Sequence, residues 1–101
     1  MAELLDGVNH IALLTTDMDR FIRFYQEAFD AKVLRDNPNH GGNPGERMVI
    51  MSLGGPSDFN VFQVPGNSQA GVQTPMFGRG RIDHFGPVSY THLTLPTILR
   101  V

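Results

Sequence analysis

Cysteine is absent from this sequence of 101 residues. Without thiols the chain has no disulfides, no thiolate metal site and no cysteine nucleophile. Any metal chemistry therefore depends on His, Asp, Glu and neutral oxygen donors. Lysine and arginine form no run, and the formal net charge is −2 at pH 7. Because nucleic acids and anionic membranes are bound through concentrated basic surface, we expect neither as a partner.

Long apolar runs are also missing. The segment 1–7 includes Glu3 and Asp6, so we expect neither a signal peptide nor a membrane anchor there, and a cytoplasmic location is the default. Hydrophobic residues make up 41% of the sequence and charged residues 18%. This balance is typical of one small soluble domain.

Two short segments of the chain resemble each other. Segments 8–12 and 82–86 each place a histidine after an aliphatic residue and an Asn or Asp and before an apolar and a small residue. His10 and His84 are 74 positions apart (84 minus 10). A repeat at this distance indicates a structural module used twice. The two histidines can then face each other as metal ligands, since imidazole is the commonest such ligand. The alternative is that each is a half-buried residue bonded to the backbone.

The alternation of residues predicts a strand from Val8 to Thr15. With a period of two, His10 lies on one face, and Ile11 and Leu13 lie on the other. We predict that the following helix covers Ile11 and Leu13 and leaves His10 on the opposite face of the strand.

That helix is predicted from about Asp17 to Phe29. Thr16 or Asp17 can cap it, and acidic residues in the first turn interact favourably with the positive end of the helix dipole. Apolar residues recur at spacings of three and four, which predicts a broad face packed in the core: Met18, Phe21, Ile22, Phe24, Tyr25, Ala28 and Phe29.

Three further strands are predicted at 32–35, 47–53 and 59–64. The turn formers at 37–45 predict a flexible hairpin loop without regular structure, in which His40 is a solvated surface residue or, as a minor alternative, touches a ligand. Residues 54–58 predict an antiparallel turn. The fold class is therefore α+β, a βαβββ module plus the first strand of a second module.

We expect four regions along the chain. Residues 1–66 form the first module, 67–80 a linker rich in Gly, Gln and Ser, 81–86 the start of the second module, and 87–101 a tail. Pro87 interrupts the last strand, and the tail, with His92, resembles translated sequencing adapter. These features predict a truncated chain with a foreign end.

In combination these segments resemble the vicinal oxygen chelate superfamily, which includes glyoxalase I, bleomycin-resistance proteins and extradiol dioxygenases. The resemblance covers roughly residues 7–86, and its motifs are Val-Asn-His-Ile-Ala-Leu at 8–13, Asp-Met-Asp-Arg at 17–20 with Phe24-Tyr25, Phe-Gln-Val-Pro-Gly at 62–66 and Gly-Arg-Ile-Asp-His-Phe at 80–85.

The resemblance implies two modules that form a U-shaped sheet around a cavity. It also implies a divalent metal (Fe, Zn, Ni or Mn) held by His10 and His84. The family's next ligand is a carboxylate at the position of Asn60, where this sequence has an amide, a weaker donor. The last ligand would come from the second module.

Three functional interpretations follow. The parent protein is a metal-dependent lyase, isomerase or dioxygenase that acts on a small molecule with vicinal oxygens; or the chain is a metal-free, resistance-type module that binds a small molecule; or the fragment has no activity of its own. An incomplete second module leaves strand edges and an apolar face uncovered, which predicts a homodimer.

Overall fold

The computed structural model of the protein describes residues 4–80 and 85–87. Within this part the element order is β1, α1, β2, β3, β4, with a 3-10 turn between β2 and β3, which confirms the α+β class and the βαβββ module. For the helix and the four strands, the predicted boundaries lie within two residues of the observed ones. The elements are β1 (His10–Leu14), α1 (Met18–Phe29), β2 (Lys32–Asn37), the 3-10 turn (His40–Gly42), β3 (Arg47–Ser52) and β4 (Asp58–Gln63).

The strands form a single sheet in the order β1-β4-β3-β2. Strands β2, β3 and β4 are joined as antiparallel neighbours, and β1 runs parallel to β4. A parallel pair needs a long crossover, which here consists of α1 and the two antiparallel strands that follow it. The first and last strands therefore lie side by side, although they are far apart in the sequence.

The core lies between α1 and one face of this sheet. The fully buried side chains come from α1, β3 and β4: Met18, Val49, Met51, Phe59 and Val61. Ile11 and Leu13 pack against this cluster, which confirms that α1 covers their side of β1. His10, next to them in the strand, is exposed on the other side.

The aromatic stripe of α1 is wider than the contact between helix and sheet. Phe21 and Tyr25 pack against the core, with ring centroids 5.8 and 5.1 Å from that of Phe59. Phe24 and Phe29, however, are 52% and 59% exposed, so the prediction that they are core residues was wrong. Phe24 lies at the rim of the stripe, and Phe29 is the last helical residue, where the chain turns away.

Both ends of α1 are capped. At the N-terminus the backbone N–H of Arg20 donates to Oδ1 of Asp17 at 3.1 Å, and the N–H of Met18 donates to Oε1 of Gln63 at 2.6 Å. At the C-terminus Asp30 adopts a left-handed conformation (φ 55°), which ends the helix. Because Gln63 closes β4, its bond fixes the start of α1 over that strand.

An ion-pair cluster joins β3 to β2 and to α1. Arg47 donates Nε and Nη2 to the two carboxylate oxygens of Asp36 at 3.0 and 2.8 Å, and Nη1 to Oδ1 of Asp19 at 2.8 Å. These hydrogen bonds hold the pKa of the Asp36 carboxyl below its usual value and raise the pKa of Arg47. Bidentate pairing of this kind fixes the relative orientation of the two side chains and adds to the attraction between their charges.

The loop between β2 and β3 is more ordered than predicted. It contains the 3-10 turn His40–Gly42, so the prediction of no regular structure was wrong. Gly41 and Gly42 both have positive φ (66° and 77°), which allows the chain to turn this tightly. His40 is half-buried rather than solvated, because its ring packs edge-on against Phe62 at 5.4 Å.

Residues 67–80 contain turns and no helix or strand. No helix in the described part of the chain is long and apolar enough to cross a membrane. The expected second-module strand at 81–86 and the tail at 87–101 fall mostly outside the described residues, as do His84 and His92. The division into four regions therefore stays a prediction.

Candidate functional site

The candidate site lies where β1 begins, and its polar residues come from the side of the sheet away from α1, which we call the open face. Strand register brings its members together. His10 pairs with Asp58, and Ala12 pairs with Asn60, across the parallel contact of β1 and β4. Strand β3 adds Ser52 beside Asp58 and Ile50 beside Asn60.

The open face is polar at one end and apolar at the other. His10, Asp58 and Ser52 form the polar end, at the start of β1. Two pairs further along, Leu14 lies beside Phe62, on which the ring of His40 also packs. Asn60 lies between the two ends.

The ring of His10 is oriented by the residue before it. Asn9 donates Nδ2 to the carbonyl oxygen of Pro56 at 3.1 Å, which fixes the orientation of its amide. Its Oδ1 then accepts a hydrogen bond from Nδ1 of His10 at 3.0 Å. Because Nδ1 carries the proton, Nε2 of the neutral ring is left as the acceptor.

A cavity of about 410 Å³ opens beside His10, at the start of β1. Its apolar wall is formed by four side chains from the start of β1, the end of β3 and the segment 85–87: Val8, Ile11, Leu53 and Phe85. Its polar lining comes from the segment before and at the start of β1 and from the turn into β4: Asn9, His10, Ser57 and Asp58. The volume falls within the usual range of small-molecule pockets, about 300 to 1,000 Å³.

Asp58 is the residue of this site that the sequence did not reveal. We assigned it to the turn between the third and fourth strands, but it is the first residue of β4 and pairs with His10. Parity along β4 was the available signal, since residues 58 and 60 lie on the same face of a strand. The missing information was the register of β1 against β4.

The described donors do not by themselves fit a metal centre. His10 offers one imidazole nitrogen, Asp58 one carboxylate and Asn60 a neutral amide. Among residues 4–80 and 85–87, no three His, Asp or Glu side chains converge on one point, whereas catalytic metal sites usually have three protein ligands. His84 lies outside these residues, so its predicted role as a ligand is untested.

Comparisons with known proteins identify the family. The family model of the Glyoxalase/Bleomycin resistance protein/Dioxygenase superfamily matches residues 7–94, a range that runs past Pro87 into the expected tail. Among solved structures, the chain is similar to one described as "Crystal structure of SMU.1112c", with 22% identity and a TM-score of 0.49. That alignment covers 76% of this chain and 56% of the other chain.

No curated protein matches the chain. The family match covers most of the sequence and includes every element of the sheet and the helix. The chain belongs to the Glyoxalase/Bleomycin resistance protein/Dioxygenase superfamily.

Proposed function

We propose that this protein binds a small organic molecule in the cavity beside His10, at the end of the sheet where β1 begins. The observation that carries this proposal is the cavity itself, about 410 Å³ in volume, with apolar walls and a few polar groups. A lining of this composition is characteristic of small-molecule sites. Of the three interpretations of the sequence, this one depends only on residues of the described chain.

The ligand would be held by burial of its apolar part and oriented by hydrogen bonds. Ile11 and Leu53, which also pack against the core, provide apolar contact in the cavity. Nε2 of His10 and the carboxylate of Asp58 provide the orienting groups. This arrangement supports binding and does not by itself assign a reaction.

A pair of bulky substitutions tests the proposal. Val8→Trp places a large side chain at the wall of the cavity, whereas Leu4→Trp adds the same side chain at a position that does not line it. A fragment library would be screened against the unaltered chain by ¹H–¹⁵N correlation NMR of the protein. We expect the hits to shift the backbone amide signals of residues 8–11 and 57–58. They should bind at least about tenfold more weakly to Val8→Trp than to the unaltered chain, and equally well to Leu4→Trp.

Two outcomes would contradict the proposal. The first is that hits bind equally well to both variants. The second is that their amide shifts cluster on the outer surface of α1 instead of around the cavity.

We propose as a second candidate that a divalent metal is held by His10 and His84 in an enzyme of this superfamily. The observation in its favour is the hydrogen bond from Nδ1 of His10 to Asn9, because metal-bound histidines are usually oriented by such a partner at their other nitrogen. Since Asn60 is a neutral donor, we expect the chain alone to bind metal weakly.

Calorimetric titration with Ni²⁺, Zn²⁺ and Fe²⁺ separates the two candidates. His10→Ala and His84→Ala are the test variants, and His40→Ala is the matched control. Tight binding that is lost in both test variants and kept in the control would favour the metal-dependent enzyme. Weak binding that is the same in all three variants favours the metal-free binding protein.

A further inference from the structure

We propose that the cavity beside His10 selects a small organic cation, an alkylammonium or arylalkylammonium ion, through the carboxylate of Asp58. The inference rests on the proposed function, because it names the class of ligand for the same cavity. It is carried by the charges and the hydrogen-bonding groups that line the cavity.

Asp58 gives the cavity its charge. It is half-buried at the start of β4, and among the described residues that line the cavity no lysine or arginine balances it. Within residues 4–80 and 85–87, no side chain or backbone N–H donates a hydrogen bond to its carboxylate. A carboxylate in the wall of a cavity that is otherwise apolar attracts a cation through the interaction of the two charges.

The neighbouring polar groups are acceptors. The hydroxyl of Ser57 donates its hydrogen to the carbonyl oxygen of Val8 at 3.1 Å, which leaves the lone pairs of Oγ free. Nδ1–H of His10 is bonded to Asn9, so the neutral ring offers Nε2 as an acceptor. Nδ2 of Asn9 is bonded to Pro56. A ligand that brings several N–H donors matches this set, and an anionic ligand does not.

The remaining walls suit the carbon part of such a ligand. Val8, Ile11 and Leu53 are aliphatic, and Phe85 contributes an aromatic ring. That ring packs edge-to-face on Phe59 with centroids 5.6 Å apart. Phe59 is fully buried, so the position of its ring is fixed and the contact restricts the movement of the Phe85 ring. A cation over the face of an aromatic ring is attracted by its quadrupole, which adds to the charge of Asp58.

Three probes of similar shape test the charge preference: 2-phenylethylammonium, 2-phenylethanol and phenylacetate. Their dissociation constants for the full chain would be measured at pH 7 by NMR titration. We expect the ammonium ion to bind at least about tenfold more tightly than the alcohol, and phenylacetate to bind most weakly.

Two variants with the same change of net charge test the role of Asp58. Asp58→Asn removes the carboxylate at nearly constant size, and Asp30→Asn removes an exposed carboxylate at the end of α1. We expect Asp58→Asn to lose the preference for the ammonium ion and to keep the affinity for 2-phenylethanol. Asp30→Asn should keep both. Phe85→Leu should weaken binding of the ammonium ion more than binding of the alcohol.

The outcomes separate the two proposals. If 2-phenylethanol binds in the cavity and the ammonium ion binds no more tightly, or if Asp58→Asn keeps the preference, the selection of cations is refuted and small-molecule binding stands. If none of the probes binds while the fragment screen yields cavity ligands, the inference is again refuted alone. If neither probes nor fragments bind in the cavity, both proposals fail.

Discussion

Asp58 lies directly beside His10 in the parallel pairing of β1 with β4. Asn60, at the position where the family resemblance implies a carboxylate ligand, lies two residues further along, which is about 6.6 Å in a strand. The carboxylate nearest to the histidine is therefore at the cavity rather than at the centre of the open face. This position gives Asp58 its proposed role in ligand selection.

The hydrogen bond between Asn9 and His10 predicts the tautomer of the histidine. In the unaltered chain at a pH where the ring is neutral, we expect the proton on Nδ1 and a bare Nε2. Asn9→Ala removes the acceptor and should increase the share of the other tautomer. Two-bond ¹H–¹⁵N spectra of the imidazole measure both populations. Identical populations in the two proteins would contradict the assigned role of Asn9.

The packing of the core predicts that truncation of two phenylalanines lowers the stability by unequal amounts. Phe59 is fully buried between α1 and the sheet, so Phe59→Ala should lower the free energy of unfolding by about 3 to 5 kcal/mol. Phe24 is half exposed on α1, so Phe24→Ala should cost about 1 kcal/mol or less. Urea denaturation measures both. Equal losses would mean that the packing of α1 on β4 is not as described.

The ion pair of Asp36 and Arg47 predicts a dependence of stability on pH. Because the hydrogen bond from Arg47 lowers the pKa of the folded Asp36, its stabilisation is complete above the pKa of the unfolded carboxyl, about 3.9. It is lost as pH falls through the lower pKa of the folded state.

Asp36→Asn should therefore lower stability at pH 7, by less than about 1 kcal/mol for a partly exposed pair. The difference from the unaltered chain should shrink below about pH 4. Asp30→Asn is the matched control, because Asp30 pairs with Lys32 on the exposed surface. Urea midpoints measured from pH 7 to pH 2 check the prediction. A difference that grows as pH falls would contradict it.

The free edge of β1 predicts self-association. Within the described part of the chain β1 has one neighbour, β4. The carbonyl of Asn9 and the N–H of Thr15 bond to β4, so the odd-numbered residues face that strand and the N–H of Ala12 points to the free edge. Such an edge is a template for pairing with a second copy.

Ala12→Pro removes this N–H without breaking a bond to β4, and Ala12→Ser keeps it. In sedimentation experiments at high micromolar concentration, we expect the unaltered chain and Ala12→Ser to associate, and Ala12→Pro to associate less. A stable monomer in the unaltered chain would contradict the prediction.

The sequence by itself determined the local structure of this module. The alternation of residue types along β1 predicted that His10 and Ile11 lie on opposite faces. The capping residue at 16 or 17, together with the apolar spacing that follows it, predicted the bounds of α1 to within one residue. These features depend on neighbours within one or two turns of the chain, so the pattern of residue types contains them.

Only the tertiary structure decided what lies beside His10. The register of β1 against β4 depends on hydrogen bonds between residues nearly fifty positions apart, as in the bond from Asp58 to the carbonyl of Asn9. The same long-range contact brings the carbonyl of Pro56 to Asn9 and so fixes the ring of His10. The periodicity of each strand is independent of such a register, and for that reason the sequence predicted the face of β1 that carries His10 but not the carboxylate beside it.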